Sequence, residues 1–197
     1  MHFTAPALAT LAALSGITTA VDIRNFFETG CRGGYFHFRD INSRVCALAI
    51  RDNGTRGCPS ARFDFVSPNN QRAIGWQGDP RGPNRCHVAR TNQSVGRNRQ
   101  TCIQINPSIG QYAGTSWAGA NLKRDEVMEP CTERALPTAV VLNDGHLYNT
   151  EGMEQEELEV LMDLAVEGTE SGDLPEFYAK FEGDVEGVER RWLEIQG

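Results

Sequence analysis

Three side chains of the 197-residue chain could together perform acid–base chemistry: His37, His87 and Glu28. Two imidazoles and a carboxylate can take a proton from a ribose hydroxyl and return one to a leaving oxygen, which is what RNA cleavage requires. They lie in a stretch, residues 21–120, with 13 arginines and no lysine against 6 acids, a net charge of +7. Arginine is the side chain best shaped to hold a phosphate. Tyr35, Trp76, Tyr112 and Trp117 form a second set that could stack on sugars or anionic polymers beside those arginines. The competing reading is structural. A histidine flanked by aromatics, as in Tyr35-Phe36-His37-Phe38, usually packs against one partner, and the four aromatics also suit the core of a small sandwich. No G-x-S-x-G, H-E-x-x-H or phosphate-loop pattern occurs, and no metal or cofactor is expected. The balance favours a protein without catalysis, with a secreted ribonuclease or ribotoxin-like enzyme using His37, His87 and Glu28 as the alternative.

The elements that must position these residues follow an export signal. Residues 1–20 contain no Lys, Arg, Asp or Glu, are apolar from Ala5 to Ile17, and end with small residues at Thr18 and Ala20. This predicts a signal peptide cleaved after Ala20 and a secreted, extracellular protein without a membrane anchor, because the apolar run is too short to span a bilayer. Cys31, Cys46, Cys58, Cys86, Cys102 and Cys131 all follow that cut. In an oxidising compartment they predict three disulfides, whose pairing the spacing does not select, and the lack of any C-x-x-C argues against zinc. Asn53 and Asn92 head the triplets Asn-Gly-Thr and Asn-Gln-Ser, which predicts glycosylation at both.

Charge divides the chain. Residues 121–197 carry 6 basic against 20 acidic side chains, a net −14, opposite in sign to the preceding stretch. The simplest reading is that the acidic tail complements the arginine-rich body within one molecule, although a role between molecules fits the same numbers. Nucleic acid is not the expected partner, since lysine is absent from the body and its arginines are scattered singly. An extracellular glycan or host protein fits better.

Short strands recur from Val21. Val21, Ile23 and Asn25 alternate with Asp22, Arg24 and Phe26, a glycine-rich fold-back spans Glu28 to Gly34, and Tyr35 to Phe38 resumes as a strand. Val45–Ile50 and Ala61–Val66 follow, the latter with Phe63 and Phe65 facing a core and Arg62 and Asp64 facing solvent. Ala73 to Cys86 repeats the strand-and-fold-back layout. His87–Ala89 and Cys102–Ile105 are further short strands, with Thr91 to Gln100 a polar loop between them. Residues 21–120 therefore predict an all-β domain, residues 121–138 a connector, and residues 139–197 an acidic tail. In the tail, Ala139 to Asn149 predicts a hairpin turning at Asp144-Gly145. A helix ends near Val166 and buries Leu158, Leu161, Met162 and Ala165. A second starts at Pro175 with Phe177, Tyr178 and Phe181, and a third carries Val185, Val188, Trp192 and Ile195.

Ile23 to Gly34, then Ser60-Ala61-Arg62-Phe63 leading to Gly75-Trp76-Gln77-Gly78-Asp79-Pro80-Arg81-Gly82, resembles the paired Greek-key motifs of βγ-crystallin-like domains. Each such motif joins a strand, an aromatic, a glycine fold-back and a serine-bearing strand. The resemblance implies a mainly β fold, α+β overall: a disulfide-linked Greek-key sandwich followed by a β-hairpin and acidic helices. Residues 21–197, with the AVVLNDGHLYN hairpin, are also similar to small secreted cysteine-containing proteins of filamentous fungi, which implies an effector-like or surface-interaction role. Tyr35-Phe36-His37 resembles a strand of small secreted fungal ribonucleases, but their downstream glutamate strand has no counterpart here.

Overall fold

The computed structural model describes residues 21–49, 57–65, 71–78, 86–95, 97, 99–106, 110–119, 130–131 and 133–184. The expected signal peptide, Asn53 and the expected third helical stripe lie outside the described residues. Within them the protein is mainly β, with two sheets, one α-helix and two disulfides.

Eight strands build the body: β1 (Val21–Phe26), β2 (Tyr35–Ile41), β3 (Val45–Leu48), β4 (Ser60–Phe65), β5 (Arg72–Gln77), β6 (Val88–Ser94), β7 (Gln100–Gln104) and β8 (Gly114–Ala118). β9 (Glu133–Ala135), β10 (Ala139–Val141), β11 (Leu147–Asn149) and β12 (Glu182–Gly183) follow. The first sheet runs β12-β11-β10-β2-β1-β4-β7 and the second β6-β5-β8-β3-β9. All pairings are antiparallel except β3 with β9. The order reveals two successive four-strand units, β1–β4 and β5–β8. Each keeps its first, second and fourth strands in one sheet and lends its third to the other, so that β3 and β7 are exchanged.

Alternation in the strands places an apolar layer between the sheets. Ile23, Phe36, Phe38, Phe63, Phe65 and Ile103 of the first sheet meet Ala47, Ala73 and Trp117 of the second in one buried cluster. Asn25 sits in that layer, fully buried, and bridges it. Its Nδ2 donates to the Ala47 carbonyl at 3.3 Å, and its Oδ1 accepts from Thr115 Oγ1 at 2.8 Å. A buried amide satisfied from both sides ties the sheets in one register.

The fold-back between β1 and β2 is pinned from β4. Ser60 Oγ accepts the Cys31 N–H at 2.9 Å and donates to the Glu28 carbonyl at 2.5 Å. The pinned turn needs left-handed backbone at Gly30, Cys31 and Gly33, which glycine adopts freely and cysteine does not.

Cys31 pairs with Cys102, tying the fold-back to β7, and Cys46 with Cys86, tying β3 to the segment before β6. The sequence separations of 71 and 40 residues make each worth about 4 kcal/mol in chain-entropy terms. The expected third disulfide is not formed: Cys58 and Cys131 are buried free thiols. Cys58 lies in the layer between the sheets, whereas Cys131 belongs to a separate cluster on the far face of the second sheet, with Trp76 and the Cys46–Cys86 bridge. Gly114 makes room for that bridge, since a Cβ there would stand 2.6 Å from Cys46 Sγ and 2.8 Å from Cys86 Sγ.

The acidic tail is built into the body. Asp144-Gly145 turns the hairpin as expected, with Gly145 at φ 92°, and β10 pairs with β2 through Ala139–His37, Val140–Phe36 and Val141–Tyr35. Helix α1 (Gln155–Glu167) opens with a capping box between Glu154 and Glu157 and closes at left-handed Gly168. It buries Leu158, Leu161, Met162 and Ala165, the expected stripe. The second helix expected from Pro175 is instead a 3-10 turn, Glu176–Phe181, and a short 3-10 turn, Ser171–Asp173, precedes it. Tyr178 is buried there while Phe177 is 42% exposed. Thr91 to Ser94, expected in a loop, belong to β6. Because β6 lies at a sheet edge and is largely exposed, its pairing leaves no apolar period to read.

Candidate functional site

The three residues proposed for acid–base chemistry do not meet. His37 is fully buried on β2 in the first sheet. His87 is exposed and precedes β6 in the second sheet, its N–H donating to the Gln77 carbonyl at 3.3 Å. Glu28 is exposed in the fold-back. No hydrogen bond or ion pair joins any two of them.

His37 belongs instead to an ionic group on the outer face of the first sheet. The sequence alternates Asp22-x-Arg24 on β1 and Arg62-x-Asp64 on β4, and antiparallel register sets Asp22 opposite Asp64 and Arg24 opposite Arg62. Like charges thus face one another directly and opposite charges meet otherwise: Arg24 Nη1 lies 3.9 Å, and Arg62 Nε 3.4 Å, from Asp64 Oδ2. Gln100 Nε2 donates to Asp64 Oδ1 at 2.6 Å. His37 Nε2 is 3.5 Å from Asp22 Oδ2, within ion-pair range but without hydrogen-bond geometry, so neither ring nitrogen has a hydrogen-bond partner.

Burial first, then the charges of Arg24 and Arg39, outweigh Asp22 and push the His37 pKa down, keeping the ring neutral at pH 7. Burial also works against Asp22, but the His37 side chain, the Asp40 N–H and Arg24 hold its carboxyl below the usual range. Burial pushes Asp64 up in spite of Gln100 and Arg24. Asp64 is 2% exposed, which corrects the expectation that it faces solvent; Arg62, its side chain 29% exposed, is the member of the pair nearer water. A neutral histidine with a fixed acidic neighbour could transfer protons, but its nitrogens are sealed from substrate.

The four aromatics expected to stack on a ligand are mostly committed inside. Trp76 is 1%, Tyr112 0% and Trp117 3% exposed. Each also spends its polar atom internally: Trp76 Nε1 on Ser116 at 2.8 Å, the Tyr112 hydroxyl on Thr91 at 2.5 Å, and Trp117 Nε1 on the Ile41 carbonyl at 2.7 Å. Gly75 admits the Tyr112 ring, as a Cβ there would lie 2.2 Å from it. Only Tyr35 remains half-buried, packed against Phe26 at 5.0 Å with the Arg24 guanidinium 5.6 Å from its ring. Asn92 is exposed on β6, its Oδ1 accepting from Arg72 Nε at 2.5 Å.

An open recess of about 200 Å³ lies instead in the tail, between β11, β12 and the two 3-10 turns. Tyr148 and Tyr178 line it with Leu174 and Pro175, and Glu176, Glu182 and His146 contribute its charge. The turn of the hairpin organises it. Asp144 accepts the N–H groups of His146 and Ser171 at 3.2 and 2.7 Å, fixing the first 3-10 turn against the hairpin. His146 Nδ1 meets Glu182 Oε1 at 2.8 Å, and this contact, with the charges of Asp144 and Glu182, raises the His146 pKa. Tyr178 donates its hydroxyl to the Glu157 carbonyl at 2.8 Å, fixing the ring between the recess and α1. Sequence reasoning missed this site because three separate segments supply it; its one local signal was the Asp-Gly hairpin. Among the described residues no three His, Cys, Asp or Glu side chains gather as a metal site, and no helix is long and apolar enough to cross a membrane.

Comparison with known proteins matches two family models to this architecture: the ARB_05566 N-terminal domain over residues 22–137 and the ARB_05566 C-terminal domain over residues 143–197. The first covers the exchanged-strand body and the second contains the recess, with β10 in the interval between them. An uncharacterised secreted protein of Arthroderma benhamiae is 33% identical over 186 residues, 93% of this chain and 96% of its own length. No solved structure matches the chain. The protein is therefore secreted, and the chain belongs to the fungal family of secreted proteins that these paired N- and C-terminal domains define.

Proposed function

We propose that this is a non-catalytic extracellular interaction protein, an effector or surface module built on a crystallin-like double Greek key. The observation that carries the functional part is the dispersal of the three residues that the sequence offers for RNA cleavage: His37 is sealed, and His87 and Glu28 are exposed without contact to it or to each other. The exchange of β3 and β7 between the sheets, and the serine that pins the first fold-back, support the crystallin-like reading. The exposed chemistry left to the molecule is a basic body and an acidic tail, which suits binding.

The test is a ribonuclease assay on the secreted protein beside His37→Ala/His87→Ala and the single variant His87→Ala. His87 is exposed, so the single variant keeps the comparison valid if loss of buried His37 impairs folding. Cleavage at background in all three is expected. Cleavage by the wild type that either variant abolishes overturns the proposal.

A further inference from the structure

Residues 143–184 carry 13 acidic side chains against one lysine, Lys180. That lysine is committed to aromatic rings, 4.6 Å from Phe181 and 6.0 Å from Phe177. The recess between hairpin and 3-10 turns opens in this acidic surface. Its lining has two parts. Leu174 and Pro175 offer apolar wall, backed by the buried Tyr178 ring, while the carboxylates of Glu176 and Glu182 supply negative charge. Glu182 is held by His146, and Glu176 has no ion-pair partner among the described residues. An apolar channel with carboxylates suits a side chain that carries its charge at the end of a hydrocarbon stem.

We propose that this recess receives an arginine or lysine side chain from a basic segment of a partner protein, Glu176 and Glu182 pairing with its charged end. The inference rests on the interaction reading above and names the chemistry of the partner. A cationic sugar polymer fits less well, because its ammonium sits on the ring without a stem to occupy the apolar wall. The volume, about 200 Å³, suits one such side chain and excludes a folded element. Specificity would come from the segment carrying it, drawn in by the surrounding negative field.

His146 makes the affinity depend on pH. The groups facing it are Glu182 on β12, Asp144 in its own turn, Tyr148 on β11, and Glu176 and Tyr178 on the second 3-10 turn. An imidazole is the side chain whose charge changes near neutral pH. Protonated, it occupies Glu182 and repels an incoming cation; neutral, it releases that carboxylate. Binding therefore strengthens as pH rises through the His146 pKa.

The experiment is fluorescence anisotropy with a labelled hexa-arginine peptide at fixed ionic strength, using the secreted protein, Glu176→Gln, Glu182→Gln and the control Glu151→Gln. Glu151 is exposed just before α1 and does not line the recess, so it removes the same charge from elsewhere on the same surface. Each recess variant is expected to weaken binding about 3- to 5-fold and the control less than about 1.5-fold, in keeping with one partly desolvated ion pair against an exposed charge. The rise in affinity from about pH 5.5 to 8 should flatten in His146→Gln, since glutamine does not titrate. Equal losses in all three carboxylate variants would show attraction to the acidic surface at large and overturn the site. Absence of measurable binding would overturn it too, while leaving the non-catalytic reading to the ribonuclease assay.

Discussion

Replacing Ser60 by alanine removes a single oxygen and should cost much of the protein's stability. That oxygen joins β4 to the fold-back, accepting from Cys31 and donating to Glu28 at 2.9 and 2.5 Å, on a residue with no exposed surface. A net hydrogen bond is worth about 1 kcal/mol, and a buried group left unpaired costs about 1 to 3 kcal/mol. Two bonds of about 1 kcal/mol each vanish, so the loss should be about 2 kcal/mol. Urea unfolding with disulfides intact reads this directly. With a slope of about 2 kcal/mol per molar urea, the midpoint falls by about 1 M and the slope is unchanged. Ser43→Ala is the control: its hydroxyl reaches the Trp117 carbonyl at 3.4 Å from an exposed position, and its removal should move the midpoint by about 0.2 M or less. Hydrogen exchange adds a local readout. The Cys31 amide, protected by Ser60 in the native protein, should exchange faster in the variant than global unfolding allows. A midpoint shift below about 0.3 M, or an unaltered Cys31 amide, would refute the view that Ser60 holds the fold-back.

Three further outcomes follow from the described geometry. Gly114→Ala puts a methyl 2.6 Å from Cys46 Sγ; the secreted variant should lose at least about 2 kcal/mol in urea unfolding and show incomplete Cys46–Cys86 pairing by mass spectrometry, and native-like values would contradict the crowding. Counting thiols without reductant should find none in the native protein and two after unfolding, at Cys58 and Cys131; no reactive thiol after unfolding would mean a third bridge. For pH, His37 has a lowered folded pKa, so the unfolded chain takes its proton first and stability falls as pH drops below about 6.5. His146 has a raised pKa and acts oppositely, its contribution present below about 6.5 and lost as pH rises through the folded value. Asp64, raised, opposes the His37 loss at lower pH. His37→Gln should flatten the decline in urea midpoint from pH 7 to 5, and an unchanged decline would rule out the buried imidazole as its cause.

What the sequence disclosed was local or periodic. The Asp144-Gly145 hairpin, the capped helix with its buried stripe and the alternation of β1 and β4 each depend on residues within a few positions of one another. Alternation also told which residues share a face, but it cannot tell whether the second face is covered, and so Asp64 was expected in water. β6 pairs through its backbone at an edge, where no apolar signal is required. Tyr112 and Trp117 could be read equally as core or surface until the close approach at Gly75 and the Ile41 carbonyl assigned them inside. Cysteine pairing and the recess depend on which distant segments become neighbours, and single-sequence spacing does not carry that information.

The seam between the two matched domains has a consequence for how the protein can be divided. β10 supplies the hydrogen-bonding neighbour of β2 and lies in the gap between the family matches. A body truncated before Ala139 would leave Tyr35, Phe36 and His37 of β2 without their β10 partners, an open edge at the start of that strand. Such an edge is a template for pairing with other chains. The tail thus covers part of a strand edge that the body alone would leave open.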